Sequence, residues 1–428
     1  MTRAILFDAS RLYLGGGLPT PRGIDRADLD YARNLIDTWP GEVFALLPTP
    51  WGTRLFGRAL FRKAIDFLET RWQERGDAEH DAGLAWVRRR LAGHGDPAPV
   101  RARRRSSFPP ADFFAGAWAL IGVTGWHFGA PARSAPEGAI YLNIGHLAYV
   151  SPFFELLLRR RPDLRAVYLL HDVIPLEFPE MVLPIAVRLE HLMLWQVRHH
   201  AAGLIFNTAA AKAPVLSMLG LAALGLERHP ATVTIPCPLA PAFEIREPED
   251  ATLRAENYVI VCGAIEPRKN HAVLLRAWQR LLQTHGKTAP RLLVVGPVAR
   301  MGAPVLAMLR ADVATRDHII IVSGLTSPSV RRLIAHARGL LMPSLAEGFG
   351  LPVIEALSQD TPVLAADTAV MREVGGAHVR YLDPHDDAAW ADAVVALADA
   401  PQPPPPGFQT MTREGYFAAV HQFLQSLP

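Results

Sequence analysis

Short apolar strands and amphipathic helices alternate through the second half of the chain, and this alternation constrains the fold more than any other feature. Strands are predicted at residues 258–262, 291–295, 318–322, 339–342, 362–365 and 379–382, with a helical segment after each. Among these helical segments are residues 303–314 and 387–399. Glycine closes several of these strands. The pattern is typical of a doubly wound parallel sheet, in which ligands bind at the carboxyl ends of the strands.

The first half shows the same rhythm less regularly. A predicted strand at residues 4–8 leads into a glycine-rich loop at 15–23 and a helix at 25–38. Further strands are predicted at 43–47, 139–143, 166–170, 203–206 and 232–235. Residues 51–136 break the rhythm and are interpreted as an insertion. The stretch 236–249 is rich in proline and acidic residues, which indicates a linker between domains.

The length of 428 residues fits two or three domains of ordinary size. We predict an α/β fold with an N-terminal domain over residues 1–240 and a C-terminal domain over residues 250–400. An amphipathic helix within residues 408–428 is expected to pack back on the body. Two such domains place a cleft between them, where ligands usually bind.

The composition favours a soluble or peripheral protein of a reducing compartment. Asp8 interrupts the apolar run near the N-terminus, and no stretch approaches the roughly 20 apolar residues of a membrane span. Cys237 and Cys262 are the two cysteines, and they lie far apart without metal-type spacing. We therefore expect a cytoplasmic protein without a disulfide framework or a zinc site.

The insertion carries an uneven positive charge, although the net charge of the whole chain is only +3. Between residues 51 and 105, thirteen Lys or Arg stand against seven Asp or Glu, and the arginine runs 88–90 and 103–105 lie there. Aromatic residues precede these runs: Trp51, Phe56, Phe61, Phe67 and Trp72. The insertion is either a solvated segment or a patch that contacts anionic lipid or a phosphorylated lipid acceptor at the inner face of the cytoplasmic membrane. Nucleic acid is not expected, because no binding motif accompanies the charge.

The most informative segment is EGFGLPVIE, residues 347–355, which follows a predicted strand. A helix is predicted to begin at Pro352, where the fixed φ angle of proline is well tolerated. The backbone amides before it are expected to face a ligand in the cleft, and they belong to Gly348, Phe349, Gly350 and Leu351. Glu355 falls one turn into the helix, within reach of a ribose-type diol. The alternative is an ordinary strand–helix turn with two surface glutamates.

This segment resembles the E-x7-E element of retaining GT-B glycosyltransferases of the family 4 type. The similarity extends to GAIEPRKN at residues 263–270, which resembles the family's loop for the donor diphosphate, and to HDVIP at 171–175. The segment TPRGIDR at 20–26 resembles a T-G-I-x-R first loop with two extra residues. The resemblance implies a GT-B architecture, in which two Rossmann-like doubly wound domains face each other across a cleft. Many relatives carry an arginine directly after the first glycine of the diphosphate loop, whereas this chain has Ala264.

The resemblance also implies roles for individual residues. Arg268 and Lys269, in the loop that begins at Gly263, would offset the charge of the donor diphosphate, and Glu347 would lie beside the donor sugar. Glu355 would bind the ribose. The remaining expectations place Gly324 and Leu325 near the nucleobase, His171 at the donor sugar or acceptor, Gly23 near the diphosphate, and Asn143 and His146 on the acceptor side. The expected catalytic set is therefore His171, Glu347, Lys269 and Arg268.

The expected function is transfer of a hexose from a nucleotide sugar to a saccharide or polyprenyl-linked acceptor in cell-surface polysaccharide biosynthesis. By resemblance alone, mannose from GDP-mannose is the first expectation. We expect neither a metal nor a cofactor, because no D-x-D motif stands in a suitable loop. Two alternatives stay open: a GT-B-fold epimerase acting on the nucleotide sugar, and a catalytically inactive homologue that acts as a binding partner.

Overall fold

The fold was derived from a computed structural model of the chain. The structure describes residues 2–15, 23–49, 51–73, 81–94, 122, 125, 127–145, 151–220, 229–401 and 403–428. None of the helices in these ranges is long and apolar enough to cross a bilayer.

The N-terminal domain is built on an eight-stranded sheet with the order β4-β3-β2-β1-β5-β6-β7-β8. Its strands are β1 (Ile5–Asp8), β2 (Val43–Thr49), β3 (Gly52–Gly57), β4 (Ala130–Pro131), β5 (Ile140–Asn143), β6 (Arg165–Leu170), β7 (Ala201–Phe206) and β8 (Ala231–Thr234). The six strands from β2 to β8 along this order pair in parallel. The edge strands β3 and β4 are antiparallel to their neighbours.

Helices connect these strands, and most of them cover the two faces of the sheet. They are α1 (Ser10–Gly15), α2 (Gly23–Thr38), α3 (Arg58–Gln73), α4 (Ala82–Leu91), α5 (Ser151–Arg160), α6 (Ile174–Glu177), α7 (Pro184–His200) and α8 (Ala209–Leu219). One apolar core lies on each face of the sheet.

The C-terminal domain has a six-stranded, fully parallel sheet with the order β11-β10-β9-β12-β13-β14. Its strands are β9 (Tyr258–Cys262), β10 (Arg291–Val295), β11 (Ile319–Val322), β12 (Leu340–Met342), β13 (Val363–Ala366) and β14 (Arg380–Leu382). Its helices are α9 (Ala251–Arg254), α10 (His271–His285), α11 (Ala303–Ala311), α12 (Val313–His318), α13 (Ser327–His336), α14 (Leu351–Leu357), α15 (Ala369–Gly375) and α16 (Asp387–Asp399).

The strand order of this second sheet fixes where its binding loops meet. The chain moves outward from β9 through β10 to β11 and then crosses back to β12, so the order reverses between β9 and β12. Such a reversal opens a crevice at the carboxyl ends of the two strands. The loops that contain residues 263–270 and 343–350 leave β9 and β12 at this crevice. The predicted fold class, two parallel-sheet α/β domains, is confirmed.

The last helix, α17 (Arg413–Ser426), returns to the N-terminal domain. Its buried residues Phe417, Val420 and Leu424 join the core on one face of the first sheet. The Tyr416 hydroxyl lies 2.7 Å from the Tyr31 hydroxyl of α2. The apolar face of this helix is therefore buried against the N-terminal domain, although the helix follows the C-terminal domain in sequence.

The described parts of segment 51–136 are integrated into the fold and differ from a solvated insertion. Strand β3 extends the N-terminal sheet, Phe61 is fully buried, and Phe56 and Phe67 pack against the core. Trp51 and Phe128 of the same segment are 64% and 66% exposed, and their ring centres lie 5.4 Å apart. The arginine run at 103–105 lies outside the described residues.

Helix α4 of the same segment crosses to the C-terminal domain. Its buried residues Leu84, Val87 and Leu91 recur at helical spacing and join the core beside β9, β10 and β11. The Arg88 guanidinium also forms an ion pair with Asp250. This helix is therefore part of the C-terminal core, although it lies in sequence between two strands of the N-terminal sheet.

Candidate active site at the domain interface

The two loops of the crevice are fastened to each other by backbone and amide hydrogen bonds. The Leu345 amide donates to the Arg268 carbonyl at 2.8 Å. Asn270 adopts a left-handed conformation with a φ of 52°, which asparagine tolerates better than most residues. Its side-chain amide donates to the Pro343 carbonyl at 3.2 Å and to the Pro384 carbonyl at 2.7 Å. Asn270 thus anchors the loop that carries the preceding two cations.

A compact charge cluster joins Glu347 to Arg268 and Lys269. The Arg268 Nη1 donates to Glu347 Oε2 at 2.9 Å, and the Lys269 ammonium donates to Oε1. The Glu347 side chain is only 8% exposed, and that of Lys269 is 11% exposed. Arg268 also reaches Glu266 at 2.8 Å through Nη2. The two predicted diphosphate-binding cations and the predicted sugar-side carboxylate therefore form one unit.

The ionisation of Glu347 follows from these partners. Burial alone raises the pKa of a carboxyl group, but Lys269 and Arg268 hold the pKa of Glu347 below its ordinary value. Burial likewise opposes the charge of Arg268, yet Glu347 and Glu266 raise its pKa. Glu347 and Arg268 therefore stabilise each other's charged forms.

Glycines let the backbones in the crevice approach closely. Gly263 has a φ of 150°, and a Cβ there would lie 3.3 Å from the Lys269 side chain, which crosses directly over it. Gly348 packs against the N-terminal domain, because a Cβ at this position would lie 2.6 Å from the His171 carbonyl oxygen. Gly350 has a φ of 93° and precedes α14. Side chains at these positions would obstruct the crevice.

The other residues of the motif divide between core and crevice. Phe349 is buried in the C-terminal core, and Leu351 packs against that core. Glu355 in α14 is buried, and burial raises its pKa to about 7, while Arg26 offsets part of that rise. The neighbourhood of Glu355 therefore includes a cation of the N-terminal domain.

The predicted nucleobase residues lie at the end of β11. Gly324 has a φ of 81°, and the Leu325 side chain is buried in the C-terminal core. The N-terminus of α4 packs on this turn, since a Cβ at Gly83 would lie 2.7 Å from Leu325. Asp81 then accepts a hydrogen bond from the Thr326 amide at 3.0 Å.

His171 directly follows β6 on the opposite wall, and its ring is held by the N-terminal domain itself. Burial lowers the pKa of His171 to about 4, so the imidazole is neutral at physiological pH. Its Nε2 lies 3.2 Å from the Ile144 carbonyl and its Nδ1 lies 3.3 Å from the Asn207 amide nitrogen. This network assigns the proton to Nε2. The part of His171 that touches the Gly348 loop is its backbone carbonyl.

Asp172 is a functional candidate that the sequence reasoning did not single out. A Cβ at Gly348 would lie 2.9 Å from the Asp172 Oδ2, so this carboxyl group is close to the Gly348 backbone. Burial raises the pKa of Asp172, whereas the Ile174 amide and the Arg268 charge act against that rise. Asp172 belongs to the same HDVIP motif as His171, at residues 171–175, so that motif could have indicated it.

Contacts across the cleft add further residues that the sequence reasoning missed. The Thr208 hydroxyl donates to the Gly348 carbonyl at 3.1 Å. Arg26 donates to the Ser327 hydroxyl at 2.8 Å, next to the predicted nucleobase turn. The Glu373 carboxylate accepts from the Ala209 and Ala210 amides at 2.7 and 2.8 Å, and so caps α8 from the other domain.

The remaining predicted residues are Gly23, Asn143 and His146. Gly23 begins α2 and faces the C-terminal domain, because a Cβ at this residue would lie 3.9 Å from the Leu351 side chain. The Asn143 amide donates to Asp8 at 2.9 Å, and both residues are buried. His146 falls outside the described residues. No group of three or more His, Cys, Asp or Glu side chains among the described residues is arranged to hold a metal ion.

Comparison with known proteins finds relatives for the part of the chain that contains this crevice. Residues 256–400 match the model of the family described as glycosyl transferases group 1. The serotype-specific mannosyltransferase WbdA of Escherichia coli is 27% identical over 239 residues, which are 54% of this chain and 29% of that protein. The O-antigen chain mannosyltransferase RfbU of Salmonella typhimurium is 27% identical over 146 residues, which are 34% of this chain and 40% of that protein. The alignments thus span less than half the length of either relative.

The whole chain also matches a solved fold. Sucrose-phosphate synthase from Thermosynechococcus elongatus aligns with 99% of this chain and 94% of its own, with a TM-score of 0.55 and 14% identity. At this identity the likeness concerns the fold. Residues 256–400 are therefore similar to the glycosyl transferases group 1 family, and the chain that carries them has the two-domain GT-B fold.

Proposed function

We propose that this protein is a retaining glycosyltransferase that moves a hexose from a nucleotide sugar to a saccharide or lipid-linked acceptor. The observation that carries the proposal is the buried cluster of Glu347, Arg268 and Lys269, which faces His171 and Asp172 across the domain interface. Two cations beside a glycine-lined crevice suit a diphosphate, whose oxygens accept charge-assisted hydrogen bonds. The buried carboxylate of Glu347, which both cations contact, suits the sugar.

The proposed step needs little covalent chemistry from the protein. The acceptor hydroxyl oxygen forms a bond to the anomeric carbon on the face that the diphosphate leaves, and the leaving phosphate oxygen takes the hydroxyl proton. Arg268 and Lys269 stabilise the negative charge that grows on the diphosphate as the bond breaks. The ionised Glu347 accepts a hydrogen bond from a sugar hydroxyl and stabilises positive charge at the anomeric carbon. The step requires no metal ion, so chelation with EDTA is expected to leave the rate unchanged.

The donor and the cellular role are proposed from the relatives. WbdA and RfbU are named as mannosyltransferases, and RfbU is named for the O-antigen chain. We therefore take GDP-mannose as the first donor to test and cell-surface polysaccharide as the product class. The corresponding location is the cytoplasm, at the inner face of the cytoplasmic membrane, where nucleotide sugars and polyprenyl-linked acceptors meet.

The first experiment identifies the donor and compares four variants with wild type. Thermal shifts with GDP-, UDP- and ADP-sugars identify the donor, and transfer is then measured for Lys269→Ala and Glu347→Gln. We expect each variant to lose about 10²- to 10³-fold in turnover, because each removes a preorganised charge at the reacting centre. Lys287→Ala and Glu244→Ala change the same residue types at exposed positions and should retain full activity.

Three outcomes contradict the proposal. Full activity in both Lys269→Ala and Glu347→Gln refutes the assignment of the site. Conversion of the donor into an isomer without any acceptor favours the epimerase. The absence of a thermal shift with any nucleotide sugar favours the inactive binding homologue.

A further inference from the structure

Two neighbouring helices of the N-terminal domain expose large apolar side chains to solvent. Phe153 and Leu156 of α5, with Ile185, Leu192 and Trp195 of α7, are between 41% and 52% exposed. They are five of the ten large apolar side chains that are exposed in the described chain. Isolated exposed apolar residues are normal on a protein surface, whereas a concentration of them marks an interaction site.

The apolar residues of α7 form a single stripe. Ile185, Leu192 and Trp195 are spaced by seven and three residues, so they share one face of the helix. The opposite face already supplies the core through Met193 and Val197. The stripe is therefore not needed for the packing of α7 on its own domain.

An arginine joins the two helices into one surface. The Arg159 guanidinium of α5 lies 5.4 Å from the centre of the Trp195 ring of α7, as a cation–π contact. Arg159 also pairs with Glu155 at 2.5 Å. The exposed residues of the two helices thus lie side by side, and we refer to them as the α5–α7 face: Phe153, Leu156, Arg159, Arg160, Ile185, Arg188, Leu192, Trp195 and Arg198.

The charge of the α5–α7 face is positive. All four of its arginines are exposed. The acids of the two helices are Glu155, which is paired with Arg159, and Glu190, whose Oε1 is buried. The α5–α7 face therefore exposes apolar side chains bordered by guanidinium groups. It carries little negative charge that would repel an anionic surface.

We propose that the α5–α7 face docks on a bilayer that contains anionic lipid. Leucine, isoleucine, phenylalanine and tryptophan side chains suit the boundary between headgroups and acyl chains, and the arginines suit lipid phosphates. The α5–α7 face combines five exposed apolar side chains with four exposed arginines, whereas the described part of segment 51–136 exposes two aromatic side chains, Trp51 and Phe128. The face is therefore the proposed membrane contact. Binding of the bilayer by this face does not depend on the proposed function.

The experiment measures binding of the full chain to vesicles in the absence of any donor sugar. Flotation is compared for phosphatidylcholine vesicles with and without phosphatidylglycerol. We expect wild type to bind the anionic vesicles, and the double variant Leu192→Glu, Trp195→Glu to lose at least about tenfold in affinity. Val313→Glu makes the same kind of change at a residue of the C-terminal domain that is 58% exposed, and it should bind like wild type.

A second variant tests the contribution of charge. Arg188→Ala combined with Arg198→Ala should weaken binding to anionic vesicles and reduce its dependence on salt. Circular dichroism and transfer to a soluble acceptor check that each variant is folded, so a failure of binding is distinguishable from a failure of the proposed function.

Four results overturn the inference. They are the absence of vesicle binding by wild type, equal binding by wild type and the double variant, equal binding to neutral and anionic vesicles, and a wild-type dimer that the double variant dissociates. The last result would assign the α5–α7 face to a second copy of the chain.

Discussion

Glu347 and Glu355 belong to one motif, yet their environments shift their ionisation in opposite directions. Two cations hold the pKa of Glu347 below its ordinary value, although burial acts against them. Burial raises the pKa of Glu355 from 4.5 to about 7, and Arg26 only partly compensates. Glu347 is therefore ionised throughout the physiological range, whereas Glu355 exchanges its proton near neutrality.

Donor binding should depend on pH through Glu355. An ionised carboxylate accepts hydrogen bonds from both hydroxyls of a ribose, so nucleotide affinity is expected to increase as pH rises through about 7. Stability changes in the other direction, because the folded protein holds this proton to a higher pH than the unfolded chain. The contribution of Glu355 to folding therefore falls as pH rises from about 4.5 to about 7.

Titration calorimetry of wild type and Glu355→Gln across this range tests the prediction. The variant should bind more weakly at high pH and lose the step near pH 7, while Glu414→Gln at an exposed position should keep it. An unchanged step in Glu355→Gln would assign the proton to another group.

The sequence predicted the residues of the crevice loops better than their partners. Arg268, Lys269 and Glu347 stand in motifs whose order along the chain indicates their chemistry. Glu373 stands in none of them, and Arg26 ends the motif at 20–26 without a role that the motif assigns, because each acts on a residue far away in sequence. Their roles depend on how the two domains face each other, which local patterns do not encode.

At the scale of elements, strands and helices with strong patterns were predicted to the residue, as at β9, β10 and α16. The predicted helix at 303–314 is instead two helices, α11 and α12. Asp312 takes an extended conformation between them, and its side chain accepts a hydrogen bond from the Ala314 amide. Such a cap competes with helix continuation, and its effect is not visible in the apolar periodicity.

Helix α4 shows the limit of local patterns more clearly. The spacing of its apolar residues indicates an amphipathic helix but does not say which core receives them. The structure places Leu84, Val87 and Leu91 in the C-terminal core, and the helix cap Asp81 bonds to Ser329 at 2.7 Å.

Substitution of Leu84 should therefore weaken the C-terminal domain. Leu84→Ala removes a buried side chain and is expected to cost about 2 to 5 kcal/mol of local unfolding free energy. Hydrogen–deuterium exchange should accelerate in β11 and α13 and stay unchanged in β1 and β5. The exposed Leu192→Ala should change these rates little, and faster exchange confined to the N-terminal sheet would contradict the packing of α4.

At the scale of the whole molecule, a few hydrogen bonds link the two domains at the cleft. Glu373 caps α8, Arg26 bonds to Ser327, and Thr208 bonds to Gly348. The sequence predicted two α/β domains because each sheet follows a local strand–helix rhythm. It did not predict their closed arrangement, because each of these contacts joins residues more than 100 positions apart.

Loss of the Glu373 cap should favour an open arrangement. Glu373→Ala leaves the Ala209 and Ala210 amides without their carboxylate, and donor affinity is expected to fall about two- to tenfold. Small-angle X-ray scattering without donor should show a larger radius of gyration than wild type. Asp392→Ala on the exposed side of α16 serves as the control, and an identical scattering curve for both variants would exclude a role of Glu373 in closure.

The packing of α4 also decides how this protein can be divided. A fragment beginning at the linker would lack Leu84, Val87 and Leu91, and would leave apolar surface near β11 uncovered. A chimera that exchanges C-terminal halves between two relatives would combine a helix and a core that did not evolve together. To exchange donor specificity, a chimera would thus have to include residues 81–94 together with the C-terminal half. These residues form a second part of the same domain that is discontinuous in sequence.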